Sequence, residues 1–185
     1  MPEEIEPLAE ALDHAVEIGR VRMKGIAKDG ARPSTEYGLV FNQMVNLWPE
    51  YAGARKIALH KRLAETARRL SQAAQVRIYH DHALIKPPGV ESRETNWHQD
   101  FPYWGGMDRP GALSAWVAVD DVTEENGCMH FVPGSHKFGA QEAIKLGVKG
   151  ESIVEKIRRR GYEVPDPETI ELPAGGVTFH PRISV

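Results

Sequence analysis

A single cysteine in 185 residues, Cys128, excludes an intrachain disulfide. No apolar run approaches the length of a signal-peptide core or a membrane span, so a soluble, cytoplasmic protein is expected. Neither sign of charge dominates. With 23 Lys and Arg against 26 Asp and Glu the net charge is −3, and nucleic acid, whose binders carry a basic patch or stripe, is not an expected partner. Internal repeats and low-complexity segments are also absent. The 41% of hydrophobic residues suffices for one small core, hence one domain over residues 1–185.

Pro2, Glu3 and Glu4 suit a helix N-terminus, and Ile5, Leu8, Leu12 and Val16 recur at helical spacing, which predicts an amphipathic helix ending between residues 19 and 25. Residues 29–35 read as loop. After Pro49, the residues Ala54, Ala58, Leu59, Leu63, Ala67 and Leu70 predict a second helix with one buried stripe. From Val76 the period falls to two, placing Val76, Ile78, His80, His82, Leu84 and Lys86 on one strand face. Pro87, Pro88 and Gly89 end that strand. Strands over 111–119 and 128–132 follow, with a turn at 124–127 between them. A short helix within 145–160 turns Ile153, Val154 and Ile157 inward until the prolines at 165 and 167 end it, and its run Arg158 to Arg160 reads as a solvated cap. Residues 170–185 return to strands around a turn at 173–176. A helical part, 1–75, before a β-rich part, 76–185, predicts an α+β domain built on a sandwich or barrel.

The chemistry concentrates in residues 96–104, NWHQDFPYW. At a strand end His98 and Asp100, two apart, share a face, so one imidazole and one carboxylate can meet a single metal ion. With a second His from a distant strand they make the facial triad of non-heme Fe(II) oxygenases. A His-x-Asp alone is a weak signal in a chain with eight histidines, and a surface hydrogen-bonded pair explains it equally well. His80 and His82 are a second alternating pair, but no glutamate follows three or four residues later as a cupin-type site requires, so that pair reads as structural. Lys86 is the one cation on its strand face, placed to meet an anion or to snorkel to the surface.

The flanking segments add specificity. YHDHALIKPPG at 79–89, the WHQD stretch, AWVAVDD at 115–121, ENGC at 125–128 and PGSH at 133–136 follow one another in an order that resembles the phytanoyl-CoA dioxygenase family of Fe(II)- and 2-oxoglutarate-dependent oxygenases, over residues 76–179. The resemblance implies a double-stranded β-helix, a jelly roll with N-terminal helices packed outside. It also implies Fe(II) on His98 and Asp100, and Trp116 beside the 2-oxoglutarate, where Lys86 is the candidate cation. His82, Gln99 and Asn126 are expected at the substrate pocket. The implied reaction couples oxidative decarboxylation of 2-oxoglutarate to hydroxylation of an unactivated C–H bond of a small molecule or acyl-CoA-type substrate, with dioxygen as co-reactant. Retention of Asp100 favours hydroxylation over halogenation.

In one place the sequence departs from the pattern. The stretch GGVTFH at 175–180 matches the approach to the family's distal His, which then falls at Val185 or one residue later. His180 matches a non-ligand His and, on a straight strand rising about 3.3 Å per residue, lies roughly 15–20 Å from the iron. The expectation is a truncated chain that lacks the distal His, the 2-oxoglutarate-binding Arg and the last strands; His180 recruited by a shifted register is the alternative. The rival function is a non-catalytic jelly-roll binding protein of the same family.

Overall fold

Glu3 and Glu4 lie in the first turn of helix α1 (Pro2–Ile26), where carboxylates oppose the positive end of the helix dipole. The computed structural model describes residues 2–26, 42–85, 95–104, 112–146 and 152–185. These fall in two compact units, one of Met1–Arg68 and Ala74–Arg93, the other of Arg69–Ala73 and Glu94–Val185.

In the first unit α1 buries Ile5, Leu8, Leu12 and Ala15, an i, i+3, i+7, i+10 stripe that leaves Val16 half-buried at its edge. Helix α2 (Ala52–Ala58) packs on it through Ala54 and Ile57. The approach is close at Gly53, where a Cβ would fall on the carbonyl of Pro7. The single long helix expected after Pro49 is instead two. Leu59 leaves the helical region (φ −104°, ψ 19°), α3 (Lys61–Leu70) restarts with a new phase, and α3 buries no residue. Leu59 and Leu70, expected in the stripe, are exposed for that reason.

Strand β1 (Asn42–Val45) pairs antiparallel with β2 (His82–Ile85), and Val45 faces His82. Residues 75–81 carry no strand, so the expected long strand from Val76 contracts to four residues whose exposed face is His82 and Leu84. Asp81 fixes the approach to β2, its Oδ2 accepting the backbone N–H groups of Leu47 and Trp48 at 3.1 and 3.0 Å.

The second unit holds two further antiparallel pairs, β3 (Leu113–Val117) with β6 (Val177–Pro181) and β4 (Met129–Phe131) with β5 (Glu168–Ile170). Helix α4 (Ile153–Arg159) turns Ile153, Val154 and Ile157 inward as the sequence predicts. It stops earlier than the prolines at 165 and 167 would require, because Gly161 adopts φ 86° just past its end. These apolar residues cluster with Val132 and Val185, and Trp97 packs against the group. After β6 the chain turns, the Ser184 N–H donating to the Pro181 carbonyl at 2.8 Å. Val185 is thereby brought beside Val132 and the buried Ser135. Its N–H donates to Ser135 Oγ at 2.9 Å, and its carbonyl accepts from Val132 at 2.7 Å. No helix among the described residues is long and apolar enough to cross a membrane.

Candidate functional site

Residues 98–100 belong to no strand, yet His98 and Asp100 converge as if they shared a strand face, with Nε2 3.6 Å from Oδ1. A bend at Asp100 and the 3₁₀ turn Phe101–Tyr103 behind it fold the segment back. The Nδ1 of His98 lies 2.8 Å from the Asn96 carbonyl oxygen. A carbonyl only accepts, so Nδ1 carries the proton and the neutral ring presents its Nε2 lone pair to a carboxylate. Two electron-rich atoms 3.6 Å apart repel unless a proton or a metal ion lies between them.

The electrostatics agree with that requirement. Burial alone would disfavour the Asp100 charge, but its interactions with His180, His98 and Ser114 outweigh burial and hold its pKa well below the usual carboxylate range. Burial likewise disfavours a charged His98, while Asp100 and the Asn96 carbonyl outweigh it and raise the imidazole pKa. The pair is built to accept positive charge.

Ser114 and His180 supply the other side. They are direct partners across the β3–β6 ladder, so both side chains stand on one face. Ser114 Oγ donates to Asp100 Oδ2 at 2.9 Å, and His180 Nε2 lies 3.7 Å from the same oxygen. The strand-length separation expected for His180 is therefore wrong. The β3–β6 register sets residue 180, rather than one five positions on, level with Asp100, and the turn after Pro181 breaks the straight strand on which the expectation rested. His180 Nδ1 is buried without a hydrogen-bond partner among the described residues, and the ring leans on Phe131 at 4.9 Å between centroids. His180 thus lacks the orienting bond that His98 has. The two imidazoles address opposite oxygens of Asp100, and among the described residues no group of three His, Cys, Asp or Glu is disposed to hold a metal ion. A metal thus finds two fitting donors here, with the carboxylate kept ionised between them.

Trp116 stands two residues along β3 from Ser114, opposite Thr178, and so shares the face that carries Ser114 and His180. It is half-buried. The Thr178 hydroxyl beside it is buried without a partner among the described residues.

The remaining expectations divide. Gln99, expected in the substrate pocket, is instead fully buried, with its amide committed to three backbone groups. Asn126, also expected there, is exposed and closes its own turn: Oδ1 accepts the Thr123 N–H at 2.7 Å and Nδ2 donates to the Asp121 carbonyl at 2.8 Å. His82 is exposed at the start of β2 in the first unit, its ring stacked on that of His80 with centroids 6.1 Å apart. Lys86, the KPPG turn and the 29–35 loop lie outside the described residues. The site also contains residues that the spacing did not single out. Ser114 has one sequence signal, a hydroxyl on an otherwise apolar strand two residues before Trp116. Arg182 has none.

The ectoine dioxygenase of Bordetella parapertussis is 35% identical over 123 residues, which cover 63% of this chain and 38% of that protein. The L-proline trans-4-hydroxylase of Streptomyces griseoviridis is 45% identical over 108 residues, 47% of this chain and 39% of the relative. This chain therefore spans under two fifths of the length of these curated relatives. The crystal structure of the epimerase SnoN with Fe3+, alpha ketoglutarate and nogalamycin RO shares the fold, with a TM-score of 0.60 at 23% identity over 95% of this chain and 66% of that one. The model of the family described as Phytanoyl-CoA dioxygenase (PhyH) matches residues 9–183, almost the entire sequence, and the chain belongs to that family.

Proposed function

We propose that this chain forms the metal-binding part of an Fe(II)- and 2-oxoglutarate-dependent oxygenase, in which His98 and Asp100 hold the iron. The observation that carries the reading is the His98 Nε2 lone pair aimed at an ionised Asp100 across 3.6 Å, with Nδ1–H already committed to the Asn96 carbonyl. A hydrogen bond from the far ring nitrogen is the usual way a metal-ligating His is oriented. When bound, iron and 2-oxoglutarate supply oxidative decarboxylation to succinate coupled to C–H hydroxylation.

The protein's own part is to hold and to shape. Ser114 fixes the Asp100 carboxylate plane, leaving Oδ1 to the metal. His180 serves as the carboxylate's neighbour, because its unanchored ring suits that role better than ligation. The family resemblance implies a distal His as third donor after the GGVTFH stretch, and the turn after β6 brings the end of that stretch into the cluster against which Trp97, the residue before His98, is packed. Trp116 and the Thr178 hydroxyl wall the side on which 2-oxoglutarate would lie.

The finer fold is taken as the double-stranded β-helix, with both compact units in one dioxygenase domain; support comes from the solved relative of the same fold. The substrate is a small molecule or acyl-CoA-type compound, consistent with relatives named for ectoine and L-proline. A cytoplasmic setting fits the single cysteine.

The test is anaerobic titration of Fe(II), or Co(II) in its place, into the chain and its His98→Ala and Asp100→Ala variants, followed by assay of 2-oxoglutarate-dependent succinate formation. Each substitution should weaken metal binding by about a hundredfold or more while the chain stays folded. Binding unaltered by either change would remove the pair from the site. Metal binding without succinate would favour the non-catalytic reading.

A further inference from the structure

Between the two proposed iron ligands lies Gln99, which has no exposed surface. Its Nε2 donates to the Gly139 carbonyl at 3.0 Å and to the Ile183 carbonyl at 2.6 Å, and its Oε1 accepts the Gln141 N–H at 2.8 Å. A primary amide offers two N–H groups and one carbonyl, so little remains for a substrate. All three partners are backbone atoms, and they belong to two distant segments, the 139–141 loop and the turn after β6.

Arg182, at that same turn, is also fully buried. One guanidinium nitrogen donates to the carbonyls of Phe101 and Trp104 at 3.2 and 3.0 Å, and the group lies over the Trp104 and Phe101 rings at 4.8 and 5.5 Å. The Arg182 carbonyl in turn accepts the Phe101 N–H at 3.0 Å. The segment from Gln99 to Trp104 is therefore fastened to residues 182–183 at both of its ends. Since residues 98–100 belong to no strand, no ladder fixes their torsions, and these bonds take that place.

We infer that Gln99 and Arg182 are positioning residues: together they latch the ligand-bearing segment to the turn after β6 and preset His98 and Asp100 before any metal arrives. The inference rests on the reading of His98 and Asp100 as metal ligands. Neither side chain touches the metal. Gln99 acts through the backbone of its two neighbours, and Arg182 through the 3₁₀ turn that follows Asp100. Presetting matters because a ligand pair ordered in advance does not spend binding energy on its own ordering.

Three measurements on the full chain test this. In Gln99→Met, which keeps length without the hydrogen bonds, and Arg182→Lys, which keeps charge without the planar fork, Co(II) affinity should fall by about 10–100-fold in chain that far-ultraviolet circular dichroism shows to be folded. The visible Co(II) spectrum should change in intensity, which a loss of stability alone would not produce. In the unaltered metal-free chain, the Phe101 and Gln141 amides should already be protected from hydrogen exchange, with little further gain when Co(II) is added.

Folded variants that bind Co(II) within twofold of the parent with an unchanged spectrum would overturn the latch, provided His98→Ala still abolishes binding. Fast exchange of both amides until metal is added would overturn it as well, and that measurement needs no variant to fold. If His98→Ala binds Co(II) like the parent, the ligand assignment itself is wrong, a result distinct from failure of the latch.

Discussion

Ser114 and His180 face each other across the β3–β6 ladder and reach the same oxygen of Asp100, one by a 2.9 Å hydrogen bond and the other at 3.7 Å. One carboxylate oxygen is thereby occupied by the sheet while the other turns to His98. The division of labour follows from register alone, since a one-residue slip of either strand would turn its residue to the opposite face and separate the two partners.

Substitutions around this carboxylate should grade in severity. His98→Ala is expected to cost about a hundredfold or more in Co(II) affinity, Ser114→Ala about tenfold, and His180→Gln only a few-fold. Isothermal titration calorimetry on the three variants measures the order. A His180→Gln loss as large as that of His98→Ala would make His180 the third ligand.

The metal-free chain should be most stable on the mildly acidic side of neutrality. Asp100 has a lowered pKa in the folded chain, so its contribution is complete above the ordinary carboxylate value of about 4 and is lost as pH falls below it. His98 has a raised pKa, so its contribution is complete below the ordinary imidazole value of about 6.5 and is lost as pH rises through the folded value. Melting temperature measured with chelator from pH 3 to pH 9 should therefore peak between these limits. Asp100→Asn should flatten both limbs, and for a chain of this size each kcal/mol lost corresponds to about 2–4 °C.

Gly53→Ala tests the close approach of α1 and α2. The added methyl would meet the Pro7 carbonyl and push the helices apart, although alanine is the better helix former. Urea denaturation should register a net loss of about 1–3 kcal/mol. A gain in stability would show that the helices can part at no cost.

Asn126→Ala separates a turn from a pocket. Loss of both side-chain hydrogen bonds at this exposed turn should cost about 1 kcal/mol in thermal unfolding and leave substrate-dependent succinate formation unchanged. A large loss of substrate-dependent turnover at unchanged 2-oxoglutarate affinity would return Asn126 to the pocket.

Periodicity was a good guide where burial is one-sided. Ile5, Leu8 and Leu12 in α1, and Ile153, Val154 and Ile157 in α4, face inward as their spacing predicts. It misled where the phase resets, as at Leu59, and where a two-residue alternation continued past the segment that pairs, as from Val76 to Asp81. The His98 and Asp100 pair was legible because a short motif carries it. The position of His180 was not, because register is a relation between two strands and a count along one of them cannot supply it. The family match begins at residue 9, well before residue 76, where the motifs begin, because a model of the whole family also weighs the helical part that carries no short motif. Gln99 is expected at the substrate pocket because nothing in a single sequence tells an amide that meets substrate from one that meets three backbone groups.

The latch at residues 182–183 also bears on the order of events during synthesis. The bonds that fasten the 99–104 segment to residues 182–183 span about eighty positions, 84 from Gln99 to Ile183 and 81 from Arg182 to Phe101, and those from Gln99 to the 139–141 loop span 40 and 42. Contacts of such range form only after a long loop has closed, and a chain emerging from the ribosome N-terminus first cannot make them early. Helices α1 and α2, whose contacts lie wholly within the first 58 residues, can assemble while the rest is still being made. The carboxylate and imidazole at 98–100 are translated near the middle of the sequence, yet they gain their fixed arrangement only when the turn after β6 has emerged. Until then a nascent chain carries these two side chains without their fixed arrangement.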